Sequence, residues 1–355
     1  MTHPLSLNAG DAVPRWARPL PYALRRTWQP EVYQGGSKHD NYFEGWYLKC
    51  VDGELHTSIA LIPGVSHDRE GGTSHSFVQV VRPGGETVYL RYPVEAFEFD
   101  RRRFHVRVGP NEFSSAGAKL DLDGEGIRLT GELKFGPWTP WPVTLTAPGI
   151  MGWYRFVPRM ECYHGVCSLD HAVDGEVVID GVHHVFDGGR GYAEKDWGHS
   201  FPSSWVWAQS NHFDRPRTSV SVSVARIPWM GSSFVGFIAG VLLEGELYRF
   251  TTYTRAKLTA FESCYGGANM TYEDNDFRLD VKLDGAVPAA LKAPRHGQMV
   301  ARADESLNAS MCVKLTRKRD GAVLLDDCGL HAAVEVMDQA GELAAGVWRP
   351  RGSTG

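Results

Sequence analysis

Short runs in which apolar and polar residues alternate recur along the chain. The clearest places Val220, Val222 and Val224 between serines, and a period of two residues is typical of a β-strand. No window of a dozen residues carries the apolar stripe of an amphipathic helix, and the best helical candidate, residues 301–307, is short. The pattern therefore predicts an all-β protein of many short antiparallel strands with few short helices.

Turn signals separate many of these runs. Asp-Gly pairs recur along the chain, and this dipeptide favours the two-residue turns of β-hairpins. One hairpin is predicted around Asp180-Gly181 and another around Glu244-Gly245. The chain holds 39 glycines and 20 prolines, which is more than an average composition supplies. This excess agrees with a fold made of many short strands.

The chain also contains a weak internal duplication. Each half has a Trp-bearing strand followed by an apolar strand that ends in glycine, at 43–47 and 59–64 in the first half and at 204–209 and 236–240 in the second. The glycine-rich run 188–191 is the best candidate for a linker or bulge. The predicted divisions are an N-terminal extension (1–28), a first domain (29–188) and a second domain (189–350).

Charge and composition exclude several classes of protein. A net charge of −5 argues against a protein built to bind nucleic-acid phosphates or an anionic membrane. The first 20 residues lack the apolar core of a secretory signal. The sequence also contains no run of about 18 apolar residues, so no membrane span is predicted. Six irregularly spaced cysteines do not form the paired motifs of a structural zinc site. We expect reduced, mostly buried thiols in a cytoplasmic protein.

Nucleotide and metal motifs are missing from the sequence. It contains no dinucleotide fingerprint, phosphate loop, H-E-x-x-H or nucleophile elbow. His183 and His184 are adjacent, so on a strand their side chains would face opposite sides. We therefore predict neither a metal nor a cofactor, and attention turns to aromatic and carboxyl groups.

The segment 41–49 places a carboxyl beside an indole. On a strand, Glu44 and Trp46 share one face, while Phe43, Gly45 and Tyr47 share the other. A carboxyl buried against an indole resists ionisation and could act as an acid. The same pattern is also typical of a buried glutamate that fixes a sheet through a backbone or arginine partner. The segment alone favours the second interpretation.

The segment 191–202 contains more candidate functional residues than the segment 41–49. In an extended chain, Tyr192, Glu194 and Asp196 lie on one face, and Lys195 and Trp197 on the other. Three hydroxyl or carboxyl groups in line suit proton transfer, whereas the alternative is a solvated strand edge. Nearby aromatic and amide residues would project together and favour a pocket: Trp205, Trp207, Gln209 and Asn211.

A third patch surrounds His164, close after Trp153. A histidine there could exchange a proton near neutral pH, although a single histidine is more often a structural hydrogen-bonding group. Cys162 is not predicted to be a nucleophile, because nothing in the local sequence would lower the pKa of its thiol.

These segments resemble the tocopherol cyclase family. The resemblance is carried by residues 42–47, by 192–202 and by the continuation 205–213, and 148–154 and 161–165 resemble its bacterial members. It extends from about Gln29 to about Arg349. It implies two lipocalin-like antiparallel β-barrel or sandwich halves, related to carotenoid 1,2-hydratases. It also implies a reaction without cofactor or redox change, in which a prenylated hydroquinone closes to a chromanol.

The resemblance assigns roles to the candidate residues. Glu44, Glu194 or Asp196 would protonate the alkene, and Tyr192, His164 or Gln209 would orient the phenol. The remaining candidates would bind substrate, with the tryptophans at 46, 197, 205 and 207 lining the prenyl channel: Trp46, Tyr47, Trp153, Lys195, Trp197, Trp205, Trp207 and Asn211. Plant members carry Asn at the position of Asp196, so Glu44 and Glu194 are the preferred acids.

The expected partner is a hydrophobic small molecule, and a peripheral contact with a membrane would let the protein collect a lipid substrate. The natural substrate stays open because the sequence looks closer to bacterial relatives than to tocopherol-forming members. Two alternatives stay open as well. The protein could carry an isoprenoid or polyene without chemistry, or it could add water to such a substrate.

Overall fold

The computed structural model describes residues 5–6, 17–36, 40–68, 74–287, 289–296, 298–338 and 340–349. Strands account for 61% of the structure and helices for 7%, which confirms the predicted all-β class. No helix in these described ranges is long and apolar enough to cross a membrane. The helical segments are one short α-helix and five 3₁₀ turns: α1 (Tyr22–Arg25), and Arg26–Trp28, Val94–Ala96, Gly152–Phe156, Thr252–Thr254 and Glu342–Gly346.

The described residues also contain twenty-three strands. The first thirteen are β1 (Leu5–Ser6), β2 (Tyr42–Val51), β3 (Ser58–His67), β4 (His75–Val81), β5 (Thr87–Tyr92), β6 (Phe97–Phe99), β7 (His105–Val108), β8 (Asn111–Ser114), β9 (Gly117–Gly124), β10 (Ile127–Phe135), β11 (Cys162–Ile179), β12 (Val182–Val185) and β13 (Gly189–Gly198). The others are β14 (Trp205–Ser210), β15 (Thr218–Trp229), β16 (Ser232–Leu243), β17 (Glu246–Thr251), β18 (Lys257–Cys264), β19 (Gly267–Glu273), β20 (Phe277–Asp284), β21 (Ala289–Arg295), β22 (Gln298–Arg317) and β23 (Ala322–Met337).

The strands form two antiparallel sheets that repeat one topology. The first has the order β5-β4-β3-β2-β13-β11-β10-β9-β8-β7-β6, and the second has β1-β17-β16-β15-β14-β23-β22-β20-β19-β18. Apart from the short β1, each sheet begins in the chain with a four-stranded meander, and the last long strand returns to pair with the first strand of that meander. The described strand order does not close either sheet into a barrel. This repeat supports the predicted duplication.

The predicted correspondence between the two halves is, however, one strand out of step. Residues 59–64 lie in β3, the second strand of the first meander, whereas residues 236–240 lie in β16, the third strand of the second meander. The second strand of that meander is β15, the valine–serine strand. Both apolar segments are buried strands, so hydrophobic pattern alone does not distinguish their order in the meander.

The chain divides into two compact units that are interrupted in sequence. The first unit holds residues 8–201 and 290–302, and the second unit holds 1–7, 202–289 and 303–355. In this division Phe201 ends the longest stretch of the first unit. The boundary at residue 188 stays a prediction; the glycine-rich run 188–191 leads into β13, which pairs with β2 on one side and β11 on the other.

Both predicted hairpins are present. Ile179 of β11 pairs with Val182 of β12 across Asp180-Gly181, and Leu243 of β16 pairs with Glu246 of β17. In each turn both central residues have positive φ, which is the backbone that these turns require. The best helical candidate, residues 301–307, belongs instead to the long strand β22.

One pair of cysteines also departs from the expectation of reduced thiols. Cys312 and Cys328 form a disulfide. They are direct cross-strand partners on β22 and β23, and the pairing of these strands contains register shifts. The sequence spacing could not show this neighbourhood. Among the remaining cysteines Cys50 and Cys167 are buried, as expected, while Cys264 is exposed.

Candidate functional site

The pairing of β13 decides which candidate side chains share a face. In register, Glu194 lies opposite Tyr47 of β2, and Asp196 lies opposite His164 of β11. Directly opposed residues of an antiparallel pair point to the same side. Tyr192, Glu194 and Asp196 therefore lie on one face with His164 and Tyr47, as the alternation along this strand predicted.

Four of these residues form what we name the carboxyl–imidazole cluster: Tyr192, Glu194, Asp196 and His164. The Nδ1 atom of His164 lies 3.0 Å from Oδ1 of Asp196, and its Nε2 atom lies 3.6 Å from Oε2 of Glu194. The imidazole thus stands between two carboxyl groups and presents a different nitrogen to each. Such a bridge can pass a proton from one side of the ring to the other.

Glu194 is the most enclosed carboxyl of the cluster. Its exposed fraction is 5%, and the fully buried Tyr192 hydroxyl donates a 2.6 Å hydrogen bond to its Oε2 atom. The side chain of Asp196 retains 25% of its exposure. Of the two carboxyl groups that face the imidazole, Glu194 is therefore the more desolvated.

The same three acidic and imidazole groups could also contribute metal ligands. One ligand atom from each of His164, Glu194 and Asp196 can be chosen so that all lie within 4.8 Å of one another. A single ion needs one imidazole nitrogen aimed at it together with both carboxylates. The three groups are therefore a candidate ligand set, in which the two carboxyl groups face different nitrogens of the ring.

Two sulfur atoms border the cluster. The Cys162 thiol donates to Asp196 Oδ1 at 3.7 Å, and the backbone nitrogen of His164 lies 3.1 Å from the Met151 sulfur. Burial, followed by the charge of Asp196, raises the pKa of the Cys162 thiol well above its usual range. Cys162 therefore stays a neutral thiol, which agrees with its exclusion as a nucleophile. Met151 was not singled out from the sequence.

The rest of this face combines aromatic rings with a buried cation. Lys49 lies opposite Tyr192 and is 1% exposed, and it was missed because a lysine on a strand is ordinarily solvated. Gly64 makes room for Phe77, since a Cβ added there would lie 2.4 Å from the ring. The Phe77 ring in turn stacks on Tyr89 with centroids 5.0 Å apart.

Glu44 lies on the opposite face of the same sheet. Its carboxylate is fully buried and lies 2.5 Å from the Lys195 ammonium. It accepts hydrogen bonds from the backbone nitrogens of Gln34 and Gly35 and from the Tyr42 hydroxyl. Glu44 and Glu194 therefore do not open onto one cavity, and the alternative interpretation of Glu44, a buried carboxylate that holds the structure, describes this geometry.

Lys195, on β13, is the partner of Glu44 and also binds residues outside the sheet. Its ammonium donates to the carbonyl oxygens of Pro30, at 2.9 Å, and Val32. Residues 29–35, which we name the strap, thus cover this face. Burial lowers the pKa of Lys195, and the Glu44 charge opposes that effect. The Lys195 ammonium already bonds to the strap and to Glu44, and this does not fit the predicted role in substrate binding.

Two predicted channel tryptophans belong to this covered face as well. The indole nitrogen of Trp46 donates to Glu31 O of the strap at 2.8 Å. Trp197 stacks on Tyr163 with centroids 5.6 Å apart, and the Lys195 ammonium lies 5.0 Å from its ring. They are buried as predicted, but the sheet separates both from Glu194.

The remaining candidates lie elsewhere. Trp153 is 47% exposed on a 3₁₀ turn and stacks on Tyr154. Four buried candidates belong to the second unit, where alternation places the first three on one face of β14: Trp205, Trp207, Gln209 and Asn211. Trp205 donates to the Glu335 carboxylate at 2.5 Å. A role for these four in substrate binding stays a prediction.

Comparison with known proteins adds a family to this geometry. Residues 128–337 match the model of the tocopherol cyclase-like family. The chain is 24% identical to a probable chloroplastic tocopherol cyclase of Oryza sativa subsp. japonica, over 90% of this chain and 79% of that protein. It is also 25% identical to a chloroplastic tocopherol cyclase of Zea mays, over 52% of this chain and 41% of that protein. The crystal structure of CghA shares the fold, with a TM-score of 0.53 and 11% identity over 98% of this chain and 94% of that one.

Proposed function

Because the chain belongs to the tocopherol cyclase-like family, we propose that it closes a prenylated hydroquinone, or a similar isoprenoid substrate, by acid catalysis at Glu194. Two plant relatives that align with it are named tocopherol cyclases. The observation that carries the proposal is the imidazole of His164 held between Asp196 and the buried Glu194. This arrangement would supply a proton donor, Glu194, and a histidine through which Glu194 is reprotonated.

The proposed reaction has a simple balance. The Glu194 carboxyl gives its proton to the less substituted carbon of the prenyl double bond, and the π electrons form the new C–H bond. The tertiary carbon becomes a cation, and the phenolic oxygen shares a lone pair with it to close the ring. The phenolic proton then leaves to the base. Substrate and product have the same mass, and no electron is gained or lost overall.

His164 and Asp196 would restore the donor. The 3.0 Å contact fixes Nδ1 of His164 on Asp196, which aims Nε2 at Glu194. The imidazole can then take the phenolic proton and return it to Glu194 between turnovers. Tyr192, which donates to the same carboxyl oxygen, would stabilise the negative charge that Glu194 acquires when the proton leaves.

The face around the cluster suits an apolar cation. Tyr47 lies opposite Glu194, and aromatic faces stabilise a nearby positive charge. Exclusion of water matters equally, because water would compete with the phenolic oxygen for the tertiary cation. Of the three acids first considered, Glu194 combines burial with a proton relay, whereas Glu44 already neutralises Lys195.

Incubation of the purified protein with a prenylated hydroquinone tests this proposal. The expected product has the mass of the substrate and lacks the phenolic hydroxyl next to the prenyl chain. A product heavier by one water would instead identify a hydratase. Substrate that stays tightly bound but unchanged would contradict enzymatic function and identify a carrier. Glu194→Gln, compared with Glu176→Gln on β11 of the same sheet, assigns any turnover to the cluster.

A further inference from the structure

A hairpin of the second unit extends beyond the sheet that carries it. The strands β15 and β16 pair with each other as far as Trp229 and Ser232. Pairing of β15 with β14 ends at Ala225, and pairing of β16 with β17 ends at Ile238. In the described part of the chain, residues 227–236 therefore form a two-stranded ribbon, which we name the 227–236 ribbon.

The composition of this ribbon is unusual for a solvent-facing hairpin. From Ile227 to Leu243 the sequence contains no charged residue. The Met230 side chain at the tip is 92% exposed, and the rings of Trp229 and Phe234 meet edge to face beside it. Edge and tip positions of soluble sheets ordinarily carry charges that prevent association. An uncharged projecting tip therefore marks an interaction surface.

The turn itself points to selection for an apolar tip. Met230 and Gly231 both have positive φ, as a two-residue hairpin turn requires. Asn, Asp or Gly is the ordinary first residue of such a turn, and methionine adopts this backbone only at a cost. Nothing in the fold needs a methionine at a site that is almost fully exposed. An apolar contact outside the chain explains its presence.

A second aromatic group lies near the base of the ribbon. The 3₁₀ turn Glu342–Gly346 packs on the ribbon where Val235 meets Gly346. The chain then leads to Trp348, which is 45% exposed and has the Lys257 ammonium 3.4 Å from its ring centroid. Tryptophan with an adjacent cation is the pair that settles at the headgroup level of a bilayer.

We propose that the 227–236 ribbon inserts its tip into the interface of a lipid bilayer. From base to tip the ribbon measures about 10 Å at the usual rise per strand residue, which matches the depth reached by interfacial segments. The uncharged tip would enter the acyl boundary, and Lys257 would contact lipid phosphates. The ribbon shares no residue with the carboxyl–imidazole cluster, so the proposal would survive a failure of the proposed reaction. Together, they describe an enzyme that takes its substrate from a membrane.

Vesicle flotation tests the ribbon directly. Wild-type protein should float with vesicles of equal parts phosphatidylcholine and phosphatidylglycerol, and Met230→Glu should reduce the bound fraction at least about tenfold. Tyr265→Glu is the matched control, because Tyr265 is 89% exposed on another hairpin turn of the same unit. It should float like wild type. Equal flotation of all three proteins, or none by wild type, would overturn the proposal.

A dye at the tip distinguishes insertion from adhesion. In a Cys264→Ser background, an environment-sensitive dye on Met230→Cys should shift to the blue with vesicles, whereas the same dye on Tyr265→Cys should not. A different outcome would show that the ribbon binds a second copy of the chain and that the proposal is wrong. In that case wild type does not bind vesicles but forms a dimer in lipid-free sedimentation, and Met230→Glu abolishes the dimer. Turnover of detergent-dispersed substrate by Met230→Glu should equal that of wild type.

Discussion

The Lys195 ammonium lies 2.5 Å from the Glu44 carboxylate, and both side chains are fully buried. The strap supplies further partners to each of them, from its carbonyl oxygens to Lys195 and from its backbone nitrogens to Glu44. The pair therefore fastens residues 29–35 onto the sheet. Its charges are neutralised within the fold, which leaves proton chemistry to the other face of β13.

We predict a large loss of stability when one member of this pair is removed. Lys195→Met leaves Glu44 as an uncompensated buried charge, and Glu44→Gln does the same to Lys195. Each should lower the free energy of unfolding by about 3–5 kcal/mol. The double variant should lose much less than the sum of the two, as measured by urea denaturation in a double-mutant cycle. Additive losses would show that the two groups do not act as a pair.

A second prediction concerns the proposed acid. Glu194→Gln keeps the shape and hydrogen-bonding capacity of the side chain but cannot donate a carboxylic proton. Turnover should fall by about 10²–10⁴-fold, while the affinity for substrate, measured by tryptophan quenching, should change little. Glu44→Gln at a temperature where it stays folded should retain far more turnover. If Glu44→Gln loses turnover and Glu194→Gln keeps it, the roles assigned to the two faces of the sheet are reversed.

The hydrogen bond from Tyr192 to Glu194 makes a prediction about pH. The hydroxyl donates to Oε2 at 2.6 Å and thereby favours the ionised carboxylate. Tyr192→Phe removes that preference, so Glu194 should hold its proton to higher pH. The alkaline limb of the pH–rate profile should move upward, although the rate at the optimum should fall. An unchanged alkaline limb would mean that Glu194 is not the titrating donor.

A buried histidine outside the cluster makes a prediction about acid stability. Burial lowers the pKa of His171 to about 3, far below its unfolded value near 6.5. The unfolded state therefore binds one more proton than the folded state between these two pH values. The stabilisation is complete above pH 6.5 and should be lost on acidification by about 1.4 kcal/mol per pH unit. In His171→Gln the dependence of the unfolding free energy on pH should be shallower by that slope, whatever its value at pH 7.

Local chemistry allowed much of the fold to be predicted. The turn at Asp180-Gly181 and the alternation of Tyr192, Glu194 and Asp196 follow from backbone preferences and from the period of a strand. These features need no information about the rest of the chain. The likeness to the tocopherol cyclase family extended them to an antiparallel β-fold in two halves. The match over residues 128–337 confirms the family, and the two antiparallel sheets confirm the all-β class.

Relations between distant strands were not predictable in the same way. Glu44 and Glu194 fall on opposite faces because Glu44 pairs with Trp197, and the sequence contains no signal for this register. Lys195 was placed in a substrate pocket since its neighbours suggested one, whereas its partners come from the strap some 160 positions earlier. The pairing of Cys312 with Cys328 likewise depends on strand bulges that spacing does not reveal.

The most direct test of acid catalysis at the cluster is turnover of a prenylated hydroquinone in D₂O. The account predicts a ring-closed product with one non-exchangeable deuterium on the carbon between the benzylic carbon and the new C–O carbon. Glu194→Gln should form this product at a rate lower by orders of magnitude. A ring-closed product without deuterium at that carbon, or one formed equally fast by Glu194→Gln, would contradict the account.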